Sequence, residues 1–98
     1  EEMINMFIGS LYFTRGVQSL VDNKEIKNAD MWNCVDRHMK GDYGTLCEED
    51  RQVNQQNLNW NSGTVMSTYN IDGNKIWVIT NLGDVHTTYT TVLLPEEY

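Results

Sequence analysis

The sequence is poor in the residues that punctuate or staple a chain. Its 98 residues include one proline, two cysteines and seven glycines. No Gly/Ser-rich run and no internal repeat appears, which excludes a linker-joined pair of domains and an array of units. Two cysteines are too few for a small disulfide-built secreted scaffold, so Cys34 and Cys47 point to a cytoplasmic chain. No stretch of about 18 apolar residues exists, which argues against a transmembrane helix. Glu1 to Phe7 lacks the basic and apolar parts of a secretory leader. Bases are scarce too: seven Lys and Arg against fourteen Asp and Glu, a net charge of −7. Such a chain repels phosphate backbones, so direct nucleic-acid contact is disfavoured and basic proteins are the natural partners. The familiar catalytic signatures are missing: no phosphate loop, no Gly-x-Ser-x-Gly, no His-Glu-x-x-His. No cofactor is implied.

What remains is an ordinary globular composition, 40% hydrophobic and 21% charged, enough for one modest core. Residues 1–8 read as a poorly ordered or non-native N-terminal segment and residues 9–98 as a single α+β domain. Leu11 to Val17 reads as a short first strand. Met31, Val35 and Met39 recur at helical spacing, with Asn28 or Asp30 to cap the start and Lys40-Gly41 to end it. Thr45-Leu46-Cys47-Glu48 fits a capping box opening a second helix that runs to about Asn59. The acidic knot Glu48-Glu49-Asp50 suits the positive end of that helix.

From Gly63 the period changes to two. Asp72-Gly73 predicts a two-residue hairpin turn. That turn pairs Ile71 with Asn74, Tyr69 with Ile76, Ser67 with Val78 and Val65 with Thr80, and on the other face Thr68 with Trp77 and Met66 with Ile79. Val85 to Leu94 predicts a third strand. The expected architecture is two to three helices followed by a three-stranded antiparallel meander, joined by the N-terminal strand. Trp77, Ile79, Val35 and Met39 are expected to share one core.

The densest chemistry lies in Arg37-His38-Met39-Lys40-Gly41-Asp42-Tyr43-Gly44, the joint between the two helices. As a binding loop, Arg37 would take an anion, Asp42 would orient His38, and Tyr43 would offer a stacking face. As architecture, Lys40-Gly41 ends a helix, Asp42 braces the turn and Tyr43 plugs a gap. Trp60, at a helix end among asparagines, is the better candidate than Trp77 for an exposed interface anchor. A zinc set of Cys34, His38, Cys47 and His86 has no familiar ligand spacing, so no metal is expected. Cys47 as a nucleophile is opposed by the acids that follow it.

One set of residues carries a resemblance. It comprises Arg37-His38-x-x-Gly41-Asp42-Tyr43-Gly44, Glu49-Asp50, Asn54, Ser67-x-Tyr69, Ile76-Trp77-Val78-Ile79-Thr80 and Thr90-Thr91-Val92-Leu93-Leu94-Pro95-Glu96-Glu97-Tyr98. Together they resemble small bacterial "plasmid-related" proteins carried on mobile elements, over residues 14–98. That family usually has Trp where Tyr43 stands. It also has an acidic-then-Arg segment where this chain has Asn81-Leu82-Gly83-Asp84. The resemblance implies a mobile-element setting and no particular reaction. The expectation is a non-enzymatic binding protein that engages a basic host or defence-system protein. The alternatives are a small-ligand or nucleotide-binding domain at the Arg37–Gly44 joint, and a module that forms homo-oligomers through an exposed Val85–Leu94 edge strand.

Overall fold

The structure is a computed structural model and describes residues 6–98. It is an α+β domain with three helices and a four-stranded mixed sheet. The elements run β1 (Ser10–Phe13), α1 (Arg15–Asp22), α2 (Asn28–Met39), α3 (Glu48–Trp60), β2 (Thr64–Ile71), β3 (Asn74–Asn81) and β4 (Tyr89–Leu93). A 3-10 turn, Pro95–Glu97, follows. The sheet order is β1-β4-β3-β2. β2, β3 and β4 form an antiparallel meander, and β1 adds parallel to β4.

The hairpin sets the frame. Asp72 and Gly73 both take positive φ, 52° and 88°, the backbone of a two-residue turn whose twist matches its strands. All six expected β2–β3 pairs form, from Ile71 with Asn74 to Val65 with Thr80. Side chains therefore alternate cleanly between two faces. One face is covered by α1 and α2. Its core holds Val17, Ile26, Met31, Cys34, Val35, Tyr69, Ile76, Val78 and Val92.

Four expectations are corrected. The segment Leu11–Val17 is not one strand. Thr14 takes extended φ/ψ and its hydroxyl accepts from Val17 N–H, so a helix starts at Arg15. Val85–Thr88 is not strand either. The Asp84 carboxylate accepts from the backbone N–H of His86 and Thr87, curling this β-branched run into a turn. Thr45 does not cap α3, because its hydroxyl and backbone N–H go to Thr68 of β2, and the helix opens two residues later with Cys47 at the N-cap. Trp77 and Ile79 do not share a core with Val35 and Met39. They lie on the opposite sheet face, where Trp77 is half-buried and meets the Tyr98 ring edge-on at 5.6 Å.

β4 lies inside the sheet between β1 and β3, so it offers no edge for self-pairing. β2 is an edge strand, and it is sealed. The Asn54 side chain donates to Met66 O at 2.8 Å and accepts from Met66 N–H at 3.0 Å, imitating a neighbouring strand. Asn57 donates to Thr64 O, and Tyr43 and Thr45 bond the backbone of Thr68. The closely spaced asparagines of α3 thus satisfy an edge that would otherwise invite other chains. Of the expected 1–8 segment, residues 1–5 lie outside the described residues. Met6 N–H donates to Met39 O, and Ile8 O accepts from the Thr90 hydroxyl.

Candidate functional site

The joint after α2 ends the helix with Gly41 at φ 84°. Asp42 then turns back on the helix. Its carboxylate takes Arg37 Nε at 2.7 Å and Arg37 Nη2 at 3.3 Å, and also accepts from Gly44 N–H. The Arg37 guanidinium lies 4.7 Å from the centre of the Tyr69 ring, and the Tyr69 hydroxyl donates to Asp42 O at 2.7 Å. Arg37 holds the Asp42 carboxyl below its ordinary range. Both side chains are about half exposed, so the pair contributes little to folding by itself. Arg51 of α3 clamps the far side, donating to Gly44 O and Leu46 O at 2.7 Å each. Gly44 sits against β2 with φ 70°. A Cβ there would lie 2.0 Å from Thr68 O, whereas one at Gly41 would meet nothing within 4 Å.

His38 is turned away from this cluster and is fully buried. Its Nδ1 lies 2.5 Å from Ser67 Oγ and its Nε2 lies 2.9 Å from Thr80 Oγ1. Thr80 Oγ1 continues to Thr90 Oγ1 at 2.6 Å, and the Thr90 hydroxyl donates to Ile8 O at 2.8 Å. A carbonyl can only accept, so the last link orders the whole chain. Thr90 gives its proton to Ile8, accepts from Thr80, and Thr80 accepts from His38 Nε2–H. Nδ1 is left to accept from the Ser67 hydroxyl. This fixes the imidazole as the neutral Nε2–H tautomer. Burial pushes its pKa down to about 4. Ser67 hydrogen-bonded to a histidine has the makings of an activated nucleophile. Yet Ser67, His38, Thr80 and Thr90 are all 0% exposed, so no substrate meets them in this conformation. The chain satisfies the polar groups of the covered sheet face.

The five expected site residues therefore separate. Arg37 and Asp42 pair at the surface; Asp42 orients Arg37, and His38 is held by Ser67 and Thr80 instead. Tyr43 is half-buried, and burial raises its hydroxyl pKa. With His38, Met39, Lys40, Gln55 and Leu58 it lines a cleft of about 410 Å³ beside the joint, so Tyr43 and the buried His38 border one cavity, and neither Arg37 nor Asp42 lines it. Trp60 stands alone at the end of α3, 74% exposed.

The outer side of α3 is the other notable surface. Glu49, Val53, Gln56 and Trp60 fall at helical spacing on one stripe and are all exposed. Glu48 and Asp50 flank its start. Cys47, at the N-cap, is exposed, while Cys34 is buried and its thiol is pushed up to about 11. Among the described residues no three His, Cys, Asp or Glu side chains group to hold a metal ion. No helix among them is long and apolar enough to cross a membrane.

The sequence reading passed over Ser67, Thr80 and Thr90. The signal was present: the hairpin register places Ser67 and Thr80 on the same face as Tyr69 and Ile76. Polar groups on a buried face need a partner, and His38 is the histidine on the helix that covers them. No protein-family model, no curated protein and no solved structure matches this chain.

Proposed function

We propose that this chain is a small non-enzymatic protein-binding module that engages a basic partner through the outer stripe of α3. The observation that carries the reading is the exposure of Trp60 on the same helix as Val53 and the acids Glu48, Glu49 and Asp50. Large aromatics are the residues most enriched at binding hot spots, and their energy comes from burial in a partner's pocket. The flanking acids steer a basic surface toward that anchor. Such a role fits the mobile-element setting that the sequence resemblance suggests, with a host or defence-system protein as the target. The ligand-binding alternative has the cleft at Tyr43 but lacks the convergence of Arg37, His38 and Asp42 that it requires.

The test is affinity capture from bacterial lysate at low salt, followed by binary titration of the captured protein. Trp60→Ala is expected to weaken binding at least about tenfold with an unchanged melting temperature. Rising salt is expected to weaken the wild-type complex. Absence of any partner, or a partner indifferent to both Trp60→Ala and salt, contradicts the proposal.

A further inference from the structure

We infer that a second copy of this chain pairs with the open edge of β1, antiparallel about a two-fold axis through Tyr12, and so continues the sheet. This edge is separate from the α3 stripe and does not rest on it. The sheet has two edges, β2 and β1, and they are finished differently. β2 is closed by the side chains of Asn54, Asn57 and Thr45. β1 is not. Thr14 N–H donates to Val92 O at 3.1 Å, just past the Phe13–Val92 pair. Backbone groups alternate along a strand, so Ser10 and Tyr12 turn their N–H and C=O toward β4, while Leu11 and Phe13 turn theirs away. Among the described residues nothing bonds the backbone groups of Leu11 and Phe13.

Unpaired edge groups call for an extended strand, and the limits of β1 select which one. Before the strand, Gly9 stands at φ 63°, outside the extended region. After it, α1 begins at Arg15. Leu11 and Phe13 are therefore the residues left to pair outward. One antiparallel register uses all their groups: Leu11 lies opposite Phe13 of the second copy, Phe13 opposite its Leu11, and Tyr12 opposite its Tyr12. That register is its own two-fold mate, which is what an isologous contact needs. A register centred on Leu11 would set Phe13 against Gly9, and one centred on Phe13 would set Leu11 against the helical Arg15. Exposed rings flank the same edge. Tyr12 is 56% exposed on one side, and on the other Trp32 of α2 is 48% exposed and meets the Phe13 ring edge-on at 5.4 Å. Along the strand no like charges meet, because Met3 to Thr14 holds no charged residue and the next is the cation Arg15. Glu97 bonds the Thr14 hydroxyl, and Thr14 falls opposite Ser10 of the second copy, so the two Glu97 groups sit at opposite ends of the pair. The −7 of each copy acts from further off, where salt screens it. Each Leu11–Phe13 pair exchanges two hydrogen bonds. A contact this short belongs to the small end of specific interfaces, so the dimer is expected to dissociate in the high micromolar range.

Sedimentation equilibrium of the full chain, from low micromolar to millimolar concentration, reads association directly. Wild type is expected to pass from monomer to dimer, and the dimer to tighten as salt rises, the reverse of a complex with a basic partner. Tyr12→Glu sets two carboxylates against each other at the axis and is expected to weaken the dimer about 100-fold or more. Leu11→Pro removes one outward N–H from each copy and is expected to weaken it about tenfold. Trp60→Glu, on α3, is expected to leave it unchanged. Circular dichroism establishes that each variant is folded. The register is read by cross-linking in a Cys47→Ser background. Facing residues of a non-hydrogen-bonded pair lie about 4.5 Å apart at Cα, within disulfide reach. Tyr12→Cys is therefore expected to give a disulfide-linked dimer under oxidised glutathione, and Ser10→Cys is not. Should either edge variant fail to fold, this cross-link decides. A wild-type chain that stays monomeric throughout overturns the inference. So does a dimer that survives in folded Tyr12→Glu, one that loosens with salt, one lost in Trp60→Glu, or one that Ser10→Cys cross-links as well as Tyr12→Cys.

Discussion

The two faces of one sheet have been given opposite contents. The covered face hides polar groups: Ser67, Thr80 and Thr90 sit fully buried under α2, tied to His38. The open face shows aromatic ones: Tyr89 and Tyr98 are exposed along a groove, and Tyr12 is exposed beside Tyr89. Tyr69, Ile76, Val78 and Val92 on the covered face follow ordinary burial, and the polar groups beside them are the exception. The buried polar residues form a closed circuit, since among the described residues no buried side-chain nitrogen or oxygen lacks a partner. A complete circuit of this kind specifies a core without reaching solvent. The exposed rings pair edge-on instead, Tyr12 with Tyr89 at 6.2 Å and Tyr98 with Trp77 at 5.6 Å.

The largest effect should come from the covered face. His38→Ala removes a buried ring and takes a partner from the Ser67 and Thr80 hydroxyls, and is expected to cost about 4 kcal/mol in denaturant unfolding. A cost under about 1 kcal/mol would mean the circuit is not buried. Acid should expose the same asymmetry. His38 is held at about 4, below the ordinary 6.5 of the unfolded chain, so the unfolded state takes the proton first. Stability is then full above about pH 6.5 and declines by about 3 kcal/mol as pH falls to about 4. The carboxylates held low, those of Asp42, Asp84 and Glu97, give up their share in a lower window. Thermal melts across this range check the sign, and a melting temperature that rises toward pH 4 would break the comparison.

Next are the two joint glycines. Gly44→Ala forces a Cβ into Thr68 O at positive φ, while Gly41→Ala meets only the φ penalty. We expect about 1 kcal/mol at Gly41 and at least twice that at Gly44, read by chemical denaturation. Equal costs would detach the joint from the sheet. The open face itself should respond less than Gly44. Trp77 is half-buried, so Trp77→Ala should cost about 1–2 kcal/mol, well under His38→Ala. A larger loss at Trp77 would make the open face a second core.

Much of this was legible in the chain. Asp72-Gly73 locks the hairpin, and a locked register assigns every neighbouring side chain to a face. The α2 stripe and its end at Gly41 were equally local. The misread parts were those where a distant group outbids a local one. Thr45 fits a capping box, but Thr68 takes its hydroxyl. Val85–Thr88 has strand propensity, but the Asp84 carboxylate curls it. For the site, Arg37 and Asp42 come together as neighbours at a turn do, whereas the choice of His38 for Ser67 over Asp42 depends on which way α2 rolls onto the sheet. Asn54, Asn57 and Asn61 lie in a polar, asparagine-rich stretch; their use along the β2 edge and at Gly83 depends on which strand is outermost.

The most direct test of the division between a sealed polar face and an open aromatic one is a pH titration of the His38 imidazole by NMR, with its nitrogen shifts resolved. A sealed circuit gives a neutral Nε2–H ring above pH 6 and a midpoint near 4. A midpoint near the ordinary 6.5, or an Nδ1–H tautomer, would show that solvent reaches the covered face and would contradict the division.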